Sequence, residues 1–128
     1  MAAKKKKTTK KKAGPMAKVR EVALTYPGAE EHFPWGESVI KVKRKVFVFL
    51  GRDESDDVGF SVKLPRSGDA ALGLPVCAPT GYGLGKSGWV SAIFPGGKNV
   101  PLPLLLEWLD ESYRAVAPKK QVAELDAR

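Results

Sequence analysis

Ser38–Gly51 reads SVIKVKRKVFVFLG, and its period of two decides the fold class. SVIKVK and VFVFLG are two strands, and the break between them at Arg44-Lys45 makes a tight hairpin with a basic tip. Working outward, the polar and acidic RDESDD forms a loop, and VGFSVKL then alternates again. Val58, Phe60, Val62 and Leu64 fall on one face, with Gly59, Ser61 and Lys63 on the other. A further strand, GWVSAIF, is stopped by Pro95-Gly96-Gly97.

Helical spacing flanks these strands. Met16, Val19, Val22, Ala23 and Tyr26 lie along one side of a first helix that Pro27-Gly28 ends. The stretch PGAEEHFPWGE reads as a loop, and SGDAALGL as a short, glycine-weakened helix. In the last and strongest helix, Leu102, Leu105, Leu106, Leu109, Tyr113 and Val116 form one stripe. The polar PKKQVAELDAR is expected to fray. Hairpin-sized connections imply an α+β fold, an antiparallel sheet with two main helices on one face. The open face then collects Lys41, Lys43, Ser61 and Lys63.

A chain of 128 residues with 43 % apolar residues is one globular domain. No apolar run approaches the roughly 20 residues that cross a bilayer, and the basic N-terminus lacks the apolar stretch of a secretory signal. The single Cys77 excludes an internal disulfide and cysteine-based zinc sites, which fits a cytoplasmic location. Charge is unevenly placed. Seven of the 22 Lys+Arg lie in the first twelve residues, where there is no acid, leaving 15 basic against 14 acidic residues elsewhere. Residues 1–15 thus read as a disordered Lys-rich tail, 16–118 as the folded domain and 119–128 as a polar C-terminal extension. Met16 directly follows Ala-Gly-Pro and is an alternative start.

Candidate chemistry is sparse. Gly83-Leu84-Gly85-Lys86-Ser87-Gly88 matches G-x-G-x-x-G, but Pro79 precedes it and the short strand from Trp89 follows it. A phosphate loop needs a strand before and a helix directly after, so these glycines are read as a turn into a strand. His32 and Cys77 have no nameable catalytic partner, and the acids from Asp53 to Asp57 do not follow calcium-loop spacing. The expectation is therefore no enzyme, no cofactor and no metal. Aromatics interleaved with cations remain: Trp35 near His32 and Phe33, and Tyr82 and Trp89 flanking Lys86. Rings that stack and cations that neutralise phosphate are what a nucleic-acid surface needs.

Taken together, the segments from about Val19 to Pro118 resemble the MmcQ/YjbR family, small bacterial α+β domains described as DNA-binding. The resemblance is carried by Pro34-Trp35-Gly36-Glu37 and Lys45-Val46-Phe47, by Pro79, Tyr82, Lys86 and Trp89, and by Ser112-Tyr113. It implies a frataxin-like, double-wing arrangement of sheet and helices. Two departures stand out: Arg44 replaces the family's glycine turn, and the lysine tail lies outside the resemblance.

The function expected is non-enzymatic DNA binding of low sequence specificity, with RNA as the related polymer, by a monomer in the cytoplasm or on the nucleoid. Lys41, Lys43, Arg44, Lys45, Lys63, Arg66 and Lys86 would contact phosphates from the fold. Lys4, Lys5, Lys6, Lys7, Lys10, Lys11 and Lys12 would do so from the tail, and Trp35, Tyr82 and Trp89 would supply aromatic contacts. Arg44, Arg52 and Arg66 are the residues able to reach base edges. The rival is a frataxin-like protein- or ligand-binding module with His32, Trp35, Tyr82 and Trp89 lining a pocket.

Overall fold

The computed structural model of the protein describes residues 15–34, 37–52 and 57–128, with Arg52 by its backbone alone. The tail lysines Lys4–Lys12, Trp35 and the Asp53–Asp56 stretch lie outside the described residues. Helix α1 (Pro15–Leu24) leads into β1 (Ala29–His32), β2 (Glu37–Val42), β3 (Lys45–Arg52) and β4 (Val58–Lys63). A short helix α2 (Gly68–Leu72), β5 (Cys77–Pro79) and β6 (Trp89–Phe94) follow, then α3 (Leu102–Val116) and α4 (Lys119–Asp126). All neighbouring strands are antiparallel, in the order β1-β2-β3-β4-β6-β5. The fold is α+β, as the alternating segments imply.

The hairpin tip differs by one residue from the sequence expectation. Val42 pairs with Lys45, so the turn is Lys43-Arg44, and Lys45 is the first residue of β3. Both turn residues have positive φ, 50° and 71°, the combination that a type I′ turn requires and that matches strand twist. A second irregularity lies within β3. Ile40 faces Val48 and Lys41 faces Val46, which leaves Phe47 as an extra residue. The bulge explains why Phe47 and Val48, adjacent in sequence, are both fully buried in one core.

That core lies between one sheet face and the helices. Val19 and Ala23 of α1 meet Leu105, Trp108, Leu109 and Tyr113 of α3 over Ile40, Phe60, Val62 and Val90. The buried stripe of α3 also includes Ser112, at the i, i+3, i+4, i+7 spacing of a core-facing helix. Trp108 and Ser112 were outside the leucine stripe read from sequence.

Two further elements depart from expectation. The AEEH segment, read as loop, is edge strand β1, with burial alternating along it. Its Glu31 turns toward α1, where Arg20 Nη2 meets Glu31 Oε1 at 2.5 Å, and Ser38 Oγ donates to Glu31 Oε2. The C-terminal extension does not fray but forms α4, because Pro118 breaks the chain direction and Gln121 is buried. Arg114 pairs with Asp126 at 2.9 Å, and the Arg128 guanidinium donates to the Thr25 carbonyl, so α4 is tied back to both long helices. No helix among the described residues is long and apolar enough to cross a membrane.

Candidate nucleic-acid interface

Register places the basic side chains at one end of the sheet. The Lys43-Arg44 turn and Lys45 open β3, and the antiparallel β4 ends beside them at Lys63. Lys63 in turn faces Trp89, where β6 begins, so Lys86 just before β6 and Arg66 just after β4 lie at that end too. Direct pairing of β3 with β4 stops at Val48 and Val62, so the Lys43–Lys45 corner and Lys63 share this end of the sheet as two neighbouring parts of one basic rim. Lys43, Arg44, Lys45, Arg66 and Lys86 are exposed, and Lys63 is half-buried. Among the described residues, none of Lys43, Arg44, Lys45, Lys63 and Lys86 is ion-paired. Lys41, one pair further along β2, faces Glu30 of β1 across the ladder.

Sequence reasoning missed two members of this rim. Gln121 of α4 approaches Gly28, which also lies against Val42 at the base of the hairpin. Helix α4 therefore starts at the basic end, with Lys119 and Lys120 exposed. Their signal was a Lys-Lys pair directly after a proline, visible only once that segment is helical.

Carboxylates set the shape of the rim. Glu111 of α3 accepts from Arg66 N at 2.8 Å, Ser67 N at 3.0 Å and Ser67 Oγ at 2.7 Å, fixing the loop after β4. Partial burial pushes the Glu111 carboxyl up, but the Ser67 and Arg66 hydrogen bonds outweigh it and hold the group below its ordinary range. On the helix side, burial, reinforced by Asp110, raises the Tyr26 hydroxyl far above its usual range, so it stays protonated and donates to Asp110 Oδ1.

The Ser112-Tyr113 pair is structural. Ser112 Oγ accepts from Lys63 N at 2.8 Å and donates to the Phe47 carbonyl at 2.5 Å. Tyr113 donates to the Pro27 carbonyl at 2.6 Å, and its ring meets Tyr26 and Phe47 edge-on.

The face of the sheet turned away from the helices holds a second cluster. Val39, Phe49, Ser61 and Ser91 occupy one row across it. Ser61 and Ser91 hydroxyls are 2.7 Å apart, and Thr80 Oγ1 continues the row 2.9 Å from Ser91. Phe49 and Trp89 meet edge-to-face at 5.4 Å. Trp89 is only 7 % exposed, so its ring is packed against Phe49 and offers no free stacking face. Tyr82, by contrast, is fully exposed and lines a cavity of about 270 Å³ above the hydroxyl row. His32 does not line it; its ring lies 3.4 Å from Glu30 at the far edge.

The glycines beside Tyr82 act as turn residues. Gly83 and Gly88 have φ of 79° and 92°, and a Cβ on Gly85 would lie 2.8 Å from the Pro79 Cβ. A four-residue 3₁₀ turn, Leu84–Ser87, and then β6 follow, so no helix N-terminus stands behind the motif to hold a nucleotide phosphate. Among the described residues no group of three or more His, Cys, Asp or Glu is placed to hold a metal ion.

A search of curated proteins finds no significant match. A family model described as YjbR matches residues 24–115, from the end of α1 through most of α3, and the chain belongs to that family.

Proposed function

We propose that this protein is a non-enzymatic DNA-binding domain of low sequence specificity, working in the cytoplasm on nucleoid DNA. The observation that carries the reading is the rim at one end of the sheet, where Lys43, Arg44, Lys45, Lys63 and Lys86 converge without ion-pair partners among the described residues. Cations gathered at one end of a nearly neutral domain favour a polyanion, and phosphates need no base-specific geometry. Lys41, Arg66 and the tail lysines Lys4–Lys12 extend the same electrostatic attraction. Family membership is consistent with this reading but does not by itself carry function.

The test separates fold from tail. Affinity for duplex DNA is measured for the full chain and for one beginning at Met16. Retained binding by the shorter chain places the site on the rim, whereas its complete loss leaves the tail as the sole contact and overturns the reading. A second reading, a small-ligand module, is favoured by the Tyr82 cavity. It predicts that the shorter chain has no DNA affinity.

A further inference from the structure

We propose that the open-face cavity takes one unstacked base of single-stranded DNA, so that the protein prefers single strands to duplex. The inference rests on the DNA-binding reading above and names the substrate class it implies. Three observations meet at this place. The first is Tyr82, fully exposed and held at φ 58° between Gly81 and Gly83, either of which would adopt that conformation without strain. A bulky side chain kept in a strained backbone and in water has no role in folding, and such outliers cluster at binding sites.

The second is the shape and chemistry of the cavity. Its volume of about 270 Å³ lies just under the usual range for small-molecule sites, about 300–1,000 Å³, which fits one planar ring system. Phe49 and Ile93 wall it and Tyr82 stands exposed at its margin, while Ser61, Thr80 and Ser91 offer hydroxyls that both donate and accept. Glu37 lines one edge of it. Open sheet faces with projecting aromatics bind splayed bases in this manner, and a paired base inside a duplex cannot reach such a cavity.

Charge complementarity is the third. Lys63 follows Ser61 by two residues on the same face of β4, about 7 Å along the strand. Lys86 shares the loop of Tyr82. A base seated over the hydroxyl row thus has its flanking phosphates beside the basic rim.

Gly59 makes the test clean. It lines the cavity, its φ is unstrained, and a Cβ there would have nothing within 4 Å. Gly59→Val therefore fills the cavity without disturbing the fold, and Tyr82→Ala removes the exposed ring. Anisotropy titrations use the full chain, a labelled single-stranded oligonucleotide and the duplex of the same sequence, at physiological salt. Wild type is expected to bind the single strand roughly 5- to 100-fold more tightly than the duplex, the worth of one stacked base. Each variant loses most of that advantage, while duplex affinity stays within about twofold and the thermal midpoint of Gly59→Val is not lowered. Equal affinity of wild type for both strands, or variants that keep the preference, overturns the inference and leaves the DNA-binding reading standing. Failure to bind either form overturns both.

Discussion

The hydroxyl of Ser112 stands between two strands, donating to the Phe47 carbonyl at 2.5 Å and accepting from Lys63 N at 2.8 Å. It replaces a ladder bond where the Phe47 bulge ends the direct pairing of β3 with β4 beyond Val48 and Val62. One helix residue thus holds the sheet open at the point where the basic rim begins.

Ser112→Ala leaves a buried amide and carbonyl without their partner. The expected loss is about 1–3 kcal/mol, read from urea unfolding with an unchanged m-value. Ser112→Thr keeps the hydroxyl but adds a methyl at a site with no exposure, and is expected to recover only part of the loss.

The turn offers a prediction with two opposite readouts. Replacing Lys43-Arg44 by Asn-Gly suits the two positive φ values and should stabilise the fold by roughly 1 kcal/mol. The same change removes two rim cations and should weaken DNA binding. A purely structural role for the turn would raise stability and leave affinity unchanged.

Glu111 gives a pH dependence. Its folded pKa is depressed, so its contribution is present above the unfolded carboxylate range and is lost as pH falls through the folded value. Glu111→Gln should therefore cost about 1 kcal/mol at neutral pH and little at strongly acidic pH. Denaturant midpoints across that range check it.

Gly85→Ala should destabilise the loop by about 1–3 kcal/mol, because the new Cβ meets Pro79 at 2.8 Å. Mononucleotide addition should raise the melting temperature of neither protein, since the glycine motif here is a turn.

Much of the frame was legible in the sequence. Strict alternation in Val58–Lys63 placed Phe60 and Val62 inward and Ser61 and Lys63 outward, as the structure has them. What escaped was set by tertiary contacts. Strand β1 has no β-branched residue and exists because Glu31 finds Arg20 and Ser38. Helix α4 is polar on most sides and is held by Arg114–Asp126 and Arg128. The hairpin shifted by one residue because Val42 pairs with Lys45, a register that local composition does not reveal. In the candidate site, the cations were readable as residue types, but their convergence on one end required strand order. The Tyr82 cavity depends on Gly59, Ser61, Thr80 and Ser91 from three chain segments, and spacing alone carries no sign of it.

The central claim is that phosphates are contacted by the rim of the fold. Its most direct test is the salt dependence of duplex affinity for a chain beginning at Met16, beside the same chain carrying K43Q, R44Q and K45Q. Each phosphate contact contributes a slope of about 0.9 in log K against log salt, so the triple variant should flatten the slope by roughly 2–3. An unchanged slope, or affinity that does not respond to salt, would contradict the account.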